Sequence, residues 1–257
     1  MKTTDLPTIT KQQKQTISHL YKFRYITVKQ FQQLFNHKNH YRIQEWLKDL
    51  LTKKYIEKIK DPKDITKPAV YCLAQRSRHI LKENQTVNNN FLLWLYKEKD
   101  NGENFINHHL FILNAYLYFL RNLDKKSKLN FFNKHELKGY DYFPDPLPDG
   151  YIAVKEKENI SRYFLESFDE NDPYWLPIQK IRKYIDYSQK GNWQANTENS
   201  TFPAILFILP SEKRKTHVFM YGKAKLQKTF EDISLFLTTQ DTIKFSKGKI
   251  NIWKKVE

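Results

Sequence analysis

The chain has 257 residues, with 44 Lys and Arg against 28 Asp and Glu, a net charge of +16, and 40% hydrophobic and 15% aromatic residues. That length can bury one large core or two small ones, and the aromatic share with only 6 glycines excludes collagen-like and disordered classes. The longest apolar runs, 91–96 and 204–209, fall well short of the roughly 20 residues of a membrane helix; the polar start 1–5 has no secretory core and Cys72 has no cysteine partner, so a cytoplasmic protein is expected.

The charge is uneven. Residues 1–86 hold 18 Lys/Arg against 7 Asp/Glu, a net of +11, and the remainder 26 against 21. A basic block of this kind suits a polyanion, because every phosphate neutralised releases condensed counterions. A merely lysine-rich surface is the plainer alternative.

Within that block Thr10 is placed to cap a helix carrying Ile17, Leu20 and Tyr21, and Thr27 a second carrying Val28, Phe31, Leu34 and Phe35. A third helix, from about His40 to Lys53, is expected to bury Ile43, Trp46, Leu47, Leu50 and Leu51. Residues 55–59 and 69–73 then read as two strands joined by the Pro- and charge-rich turn 61–68. Three helices and a hairpin make a winged helix-turn-helix, whose third helix enters the major groove of double-stranded DNA. Lys38, Asn39, His40, Arg42, Gln44 and Lys48 lie at or on that helix, and Lys63 and Lys67 at the wing; these are donors suited to base edges and phosphates.

Residues 87–128 read as a helical connector, with a long apolar helix over 105–123 in which the adjacent His108 and His109 point apart and cannot share a metal. From 129 to 257 the pattern is α/β. Segments 129–132, 151–154, 162–168, 203–209 and 233–237 read as strands, with a helix over 174–189 and another after Ser211. A strand-helix-strand crossover of this length calls for parallel neighbours, so a mixed sheet is expected. The fold class is therefore α+β, a winged helix-turn-helix over 1–86 followed, after the connector, by a mixed-sheet domain over 129–257.

Two carboxylates stand out in the second domain. Asp149 opens one strand and Glu166 sits near the end of the next, so antiparallel pairing would bring them together as oxygen donors for Mg²⁺. Lys180, Lys183 and Tyr184 lie on the following helix, and Asp169 just after the strand. The alternative is that Pro148-Asp149-Gly150 is simply a turn.

The ordered set Tyr25-Ile26-Thr27-Val28-Lys29-Gln30-Phe31, Tyr55-Ile56-Glu57, Leu147-Pro148-Asp149-Gly150-Tyr151, Tyr163-Phe164-Leu165-Glu166-Ser167-Phe168-Asp169, Lys180-Ile181-Arg182-Lys183-Tyr184 and Phe202-Pro203-Ala204-Ile205-Leu206-Phe207 resembles the replication-relaxation family of plasmids and other mobile elements. The resemblance implies a winged helix before a domain related to the PD-(D/E)xK nucleases, and DNA binding in replication, relaxation or mobilisation beside a relaxase, a replication initiator or a second copy. It also implies Asp149, Glu166 and Lys180 as catalytic residues, with Asp149 and Glu166 on Mg²⁺, if the nuclease is active; no other cofactor is expected. Phe168 stands where that signature has its lysine, so the lysine has either moved to Lys180 or been lost. The expectation is accordingly a DNA-binding accessory or regulatory protein with a scaffold-like second domain, the alternatives being a Mg²⁺-dependent nickase or a transcriptional regulator.

Overall fold

The computed structural model describes residues 6–60, 64, 66–82, 87, 89–228, 233–246 and 251–257. The chain divides into two compact units, 1–113 and 114–257.

In the first unit α1 (Lys11–Phe23) begins at Thr10, whose hydroxyl accepts the Gln13 N–H while the Gln13 side chain accepts the Thr10 N–H. Strand β1 (Ile26–Thr27) runs directly into α2 (Val28–Leu34), and Thr27 and Gln30 repeat the reciprocal cap. Each box satisfies two donors that the first turn leaves without partners. Helix α3 (His40–Thr52) starts at Asn39, whose side-chain oxygen accepts the Tyr41 N–H.

The hairpin of β2 (Ile56–Ile59) and β3 (Val70–Leu73) is antiparallel, and β1 pairs with the other edge of β3. Two residues are too few to show a period of two, which is why β1 is not visible in the sequence. Ile17, Leu20, Phe31, Ile43, Leu47, Leu50, Ile56 and Leu73 close the core. Trp46 and Leu51, expected inside, are only partly buried; Trp46 lies edge-on to Phe35 and His37 at the margin. This is the expected winged helix-turn-helix.

Next come α4 (Ser77–Leu81), α5 (Asn89–Leu93), a 3-10 turn Leu95–Asp100 and α6 (Glu103–Asn122). The division at 113/114 falls inside α6. Arg24, with φ of 67° at the end of α1, donates to the Glu98 carboxylate, Nε to Oε2 at 3.0 Å, and lies 4.5 Å above the Phe105 ring. The pair fastens the 3-10 turn to the winged helix and compensates the charge of a buried Glu98.

The second unit holds β4 (Lys128–Asn133), α7 (Lys134–Leu137), β5 (Gly150–Glu156), β6 (Asn159–Ser167), α8 (Trp175–Gln189), α9 (Asn192–Asn196), β7 (Ala204–Leu209), α10 (Glu212–Leu226), β8 (Leu235–Thr239), α11 (Gln240–Phe245) and β9 (Lys254–Lys255). The sheet order is β4-β5-β6-β7-β8-β9. The first three strands form an antiparallel meander, β6, β7 and β8 are parallel through the crossovers α8 and α10, and β9 returns antiparallel. The sheet is therefore mixed, as expected, a meander continued through crossover helices into parallel strands. Phe164, Phe168, Ile205, Phe207, Leu209, Leu235 and Leu237 pack on one sheet face against Ile181 and Tyr184 of α8. Ser211 starts α10 as expected but makes no side-chain cap bond.

Candidate functional site

Strand register builds a row of charge at one end of the sheet. The β4/β5 ladder ends at Asn133↔Gly150 and the β5/β6 ladder at Gly150↔Leu165, so one step further Lys134, Asp149 and Glu166 stand side by side on one face. Glu166 in turn pairs with Phe207 of β7, on the face that α8 covers. Lys180 and Tyr184, four apart on α8 and therefore on one helix face, come down onto it.

The contacts are direct. Lys134 Nζ lies 2.6 Å from Asp149 Oδ1, and Asp149 Oδ2 accepts the Ser167 N–H at 2.9 Å. Lys180 Nζ at 2.7 Å and the Tyr184 hydroxyl at 2.8 Å both donate to Glu166 Oε1. No described residue bonds Glu166 Oε2. The side chains of Asp149 and Glu166 are only 4% and 3% exposed and Lys180 12%, whereas Lys134 is 48% exposed. The cluster thus opens to water past Lys134.

Burial, then the neighbouring Asp149 charge, push the Glu166 carboxyl up to about 7 against the pull of Lys180 and Lys134. Burial and the adjacent carboxylate hold the Tyr184 phenol well above its usual range, so it remains a donor. Burial works against the Lys134 ammonium, but the charge and hydrogen bond of Asp149 outweigh it and raise its pKa. A carboxyl poised near neutrality between a lysine, a tyrosine and a second carboxylate can hold or release a proton at working pH.

The donor chemistry fits Mg²⁺, which takes carboxylate oxygens from one or two residues and keeps several waters. Each carboxylate already faces an ammonium, however, and a cation at Asp149 Oδ1 has to displace Lys134. Among the described residues no group of three His, Cys, Asp or Glu stands ready for a metal.

The other residues singled out in this domain lie apart from these contacts. Asp169 accepts a long bond from Gln240 Nε2, 3.4 Å, in the loop after β6. Lys183 is exposed on α8. Phe168 is 2% exposed and packs edge-on to Phe207 at 4.9 Å, so the usual lysine position holds a core aromatic. The Pro148-Asp149-Gly150 stretch is more than a turn: Gly150 already pairs as the first residue of β5, and a Cβ there would meet the Phe131 ring at 2.6 Å. Lys134 was not singled out from sequence, although Asn133-Lys134-His135-Glu136 carries a capping box that marks a helix start just past a strand.

On the winged helix, His40, Tyr41, Arg42, Gln44 and Lys48 are exposed on α3 while Ile43, Leu47 and Leu50 face the core. Lys38 and Asn39 are exposed just before it, Asn39 already capping the helix with its oxygen. Arg42 pairs loosely with Glu45 at 3.2 Å, both more than 60% exposed, a contact worth little in water. Lys67 at the wing is bonded to Glu103 at 2.7 Å, which offsets its charge locally. Lys63 lies outside the described residues.

The replication-relaxation family model matches residues 17–204, from within α1 to the first residue of β7, and so takes in the winged helix and the whole acid–lysine cluster. The chain belongs to the replication-relaxation family. No curated protein matches it. Among solved structures, a mutant MarR from E. coli complexed with operator DNA is similar at 16% identity and a TM-score of 0.27, over 42% of this chain and 76% of that one. The restriction endonuclease FokI is similar at 11% identity and a TM-score of 0.33, over 90% of this chain and 42% of that one. FokI bound to DNA gives 13% identity and 0.29, over 90% and 44%. The family member described here spans under half the length of the FokI chains. Among its described residues no helix is long and apolar enough to cross a membrane.

Proposed function

We propose that this replication-relaxation protein is a DNA-binding accessory or regulatory factor of a plasmid or other mobile element, acting in replication initiation, relaxation or mobilisation. Its winged helix reads duplex DNA and its second unit serves as a scaffold for a relaxase, a replication initiator or a second copy. The observation that carries this reading is the exposed side of the third helix of a winged fold, on which His40, Arg42, Gln44 and Lys48 all stand in solvent, in the +11 part of the chain. Phosphate neutralisation by such a surface makes affinity fall by about tenfold or more between 50 and 200 mM salt when several phosphates are contacted. Titrating the full chain onto duplex DNA across that range tests it; salt-indifferent binding removes the reading.

The convergence of Asp149, Glu166 and Lys180 favours a second reading, a Mg²⁺-dependent DNA nickase. Asp149 and Glu166 would hold the metal, which when bound supplies Lewis-acid stabilisation of charge on a phosphate. Lys180 and Tyr184 hold the Glu166 carboxyl from one side through Oε1, and Glu166 must lose its proton before it can ligate. The scaffold reading is preferred because Asp149 and Glu166 are each already engaged by a lysine side chain and Phe168 fills the signature's lysine position. Incubation with supercoiled plasmid at millimolar Mg²⁺ separates the two. An intact plasmid is expected; nicking by the wild type that Glu166→Gln abolishes would establish the nickase.

A further inference from the structure

In a 3-10 helix side chains three apart eclipse one another, and the 3-10 turn Leu95–Asp100, entered from Leu92, sorts its residues accordingly. Leu92, Leu95 and Glu98 point inward, 1%, 1% and 3% exposed, and Glu98 is held there by Arg24. The inward row is complete without an aromatic residue. The outward row carries Trp94 and Lys97, three apart, with Tyr96 beside them.

The two rings are 53% and 50% exposed. Their centroids are 6.3 Å apart with 30° between planes, and Lys97 Nζ lies 4.4 Å from the Trp94 centroid and 5.7 Å from that of Tyr96. Large rings left side by side in water mark an interaction surface rather than a core that failed to close. The charge around them selects the partner. Lys97 and Lys99 are exposed, the carboxylate between them, Glu98, is buried against Arg24, and Asp100 follows them outside. A second copy docking with a two-fold axis through this patch would set it against itself, lysines facing lysines. A flexible polyanion with open π faces complements it, since bases stack on aromatic rings while lysines meet phosphates. Duplex DNA keeps its bases stacked internally and offers no such faces.

We infer that Trp94, Tyr96 and Lys97 form a stacking platform for single-stranded DNA, using residues other than those of the α3 duplex surface. It goes beyond the duplex-binding reading and stands independently of it.

Fluorescence anisotropy of the full chain, with a labelled oligo-dT strand and in parallel with a duplex of equal length, tests the platform. Trp94→Ala and Tyr96→Ala should each weaken oligo-dT binding about tenfold, in line with the loss of one stacked base, and leave duplex affinity unchanged. Trp94→Phe keeps a ring and should keep most of the affinity, and Arg42→Ala should spare oligo-dT. All are surface changes, and an unchanged melting temperature verifies the fold; Lys97→Ala supplies a further variant with both rings intact. The inference is overturned if the wild type does not bind oligo-dT, if the ring variants bind it undiminished, or if they lose both ligands equally. It is also overturned if sedimentation shows a dimer that Trp94→Ala dissociates while oligo-dT binding persists. Failure of the wild type on the duplex alone would count against α3 and leave this platform standing.

Discussion

Lys180 reaches from the second turn of α8 to Glu166 on β6, Nζ to Oε1 at 2.7 Å, and Tyr184 donates to the same oxygen from one turn further on. Two donors on one oxygen leave Glu166 Oε2 without a bond from any described residue, and burial, then the neighbouring Asp149, oppose ionisation of the group. The balance of these contacts decides how the second unit responds to pH.

Glu166 should make the protein less stable as pH rises toward neutrality. The folded chain holds its proton up to about 7, whereas an unperturbed carboxyl releases it near 4.5. Between those values the native state binds more protons than the unfolded one. The contribution is therefore full below about 4.5 and lost above about 7, on the order of 3 kcal/mol in all. In urea unfolding at pH 5 and pH 8, Glu166→Gln should gain on the wild type as pH rises. A constant difference between the two proteins would refute the assignment.

Replacing Lys180 by Met should act in the opposite sense at high pH. Ionised Glu166 then loses its nearest counter-charge, and the variant should fall behind the wild type by up to about 3 kcal/mol at pH 8. At pH 5 the carboxyl is protonated and the deficit should shrink to about that of one hydrogen bond, ~1 kcal/mol. Equal deficits at both pH values would mean that Lys180 acts through packing alone.

Gly150→Ala should cost about 1–3 kcal/mol, because the added methyl must push aside the ring of Phe131, itself 2% exposed. Phe131→Leu in the same chain should recover part of that loss. The double variant, measured by thermal unfolding against both single ones, checks the contact; strict additivity would exclude it.

Arg42→Ala should lower affinity for a preferred duplex by roughly 1–3 kcal/mol and for random duplex by less, if the guanidinium reads a base edge. Lys67→Ala should weaken both alike and only slightly, since Glu103 already engages that ammonium. Competition binding with specific and random duplexes distinguishes the cases. Equal losses for Arg42→Ala would make α3 a backbone contact only.

The local chemistry of the winged helix was plain in the sequence. Thr10 and Thr27 cap because short polar side chains satisfy the first N–H groups of a helix wherever they precede an apolar period, and Asn39, read from sequence only as a donor to DNA, caps α3 for the same reason. Ile43, Leu47 and Leu50 then select the buried face of α3 and leave Arg42, Gln44 and Lys48 outside. Strands β5, β6 and β7 showed equally, as apolar runs bounded by turns, and the convergence of Asp149 with Glu166 followed from antiparallel pairing. Short elements such as β1, the 3-10 turn and β9 escaped, being briefer than the periods that reveal them.

Sequence by itself determined where the longer helices and strands form, most of the face each buries, and that the basic charge concentrates toward the N-terminus, because those depend on residues within a few positions of one another. Only the tertiary structure decided the fate of the charges. Register across β4, β5 and β6 set Lys134 beside Asp149 and Glu166, the crossover brought Lys180 and Tyr184 onto Glu166, and Glu103 came to neutralise Lys67. The 3-10 turn likewise turned Trp94 and Tyr96 outward. Pairing between residues distant in sequence is fixed by how elements pack, and a side chain's charge state and exposure are properties of that packing rather than of its neighbours in the chain.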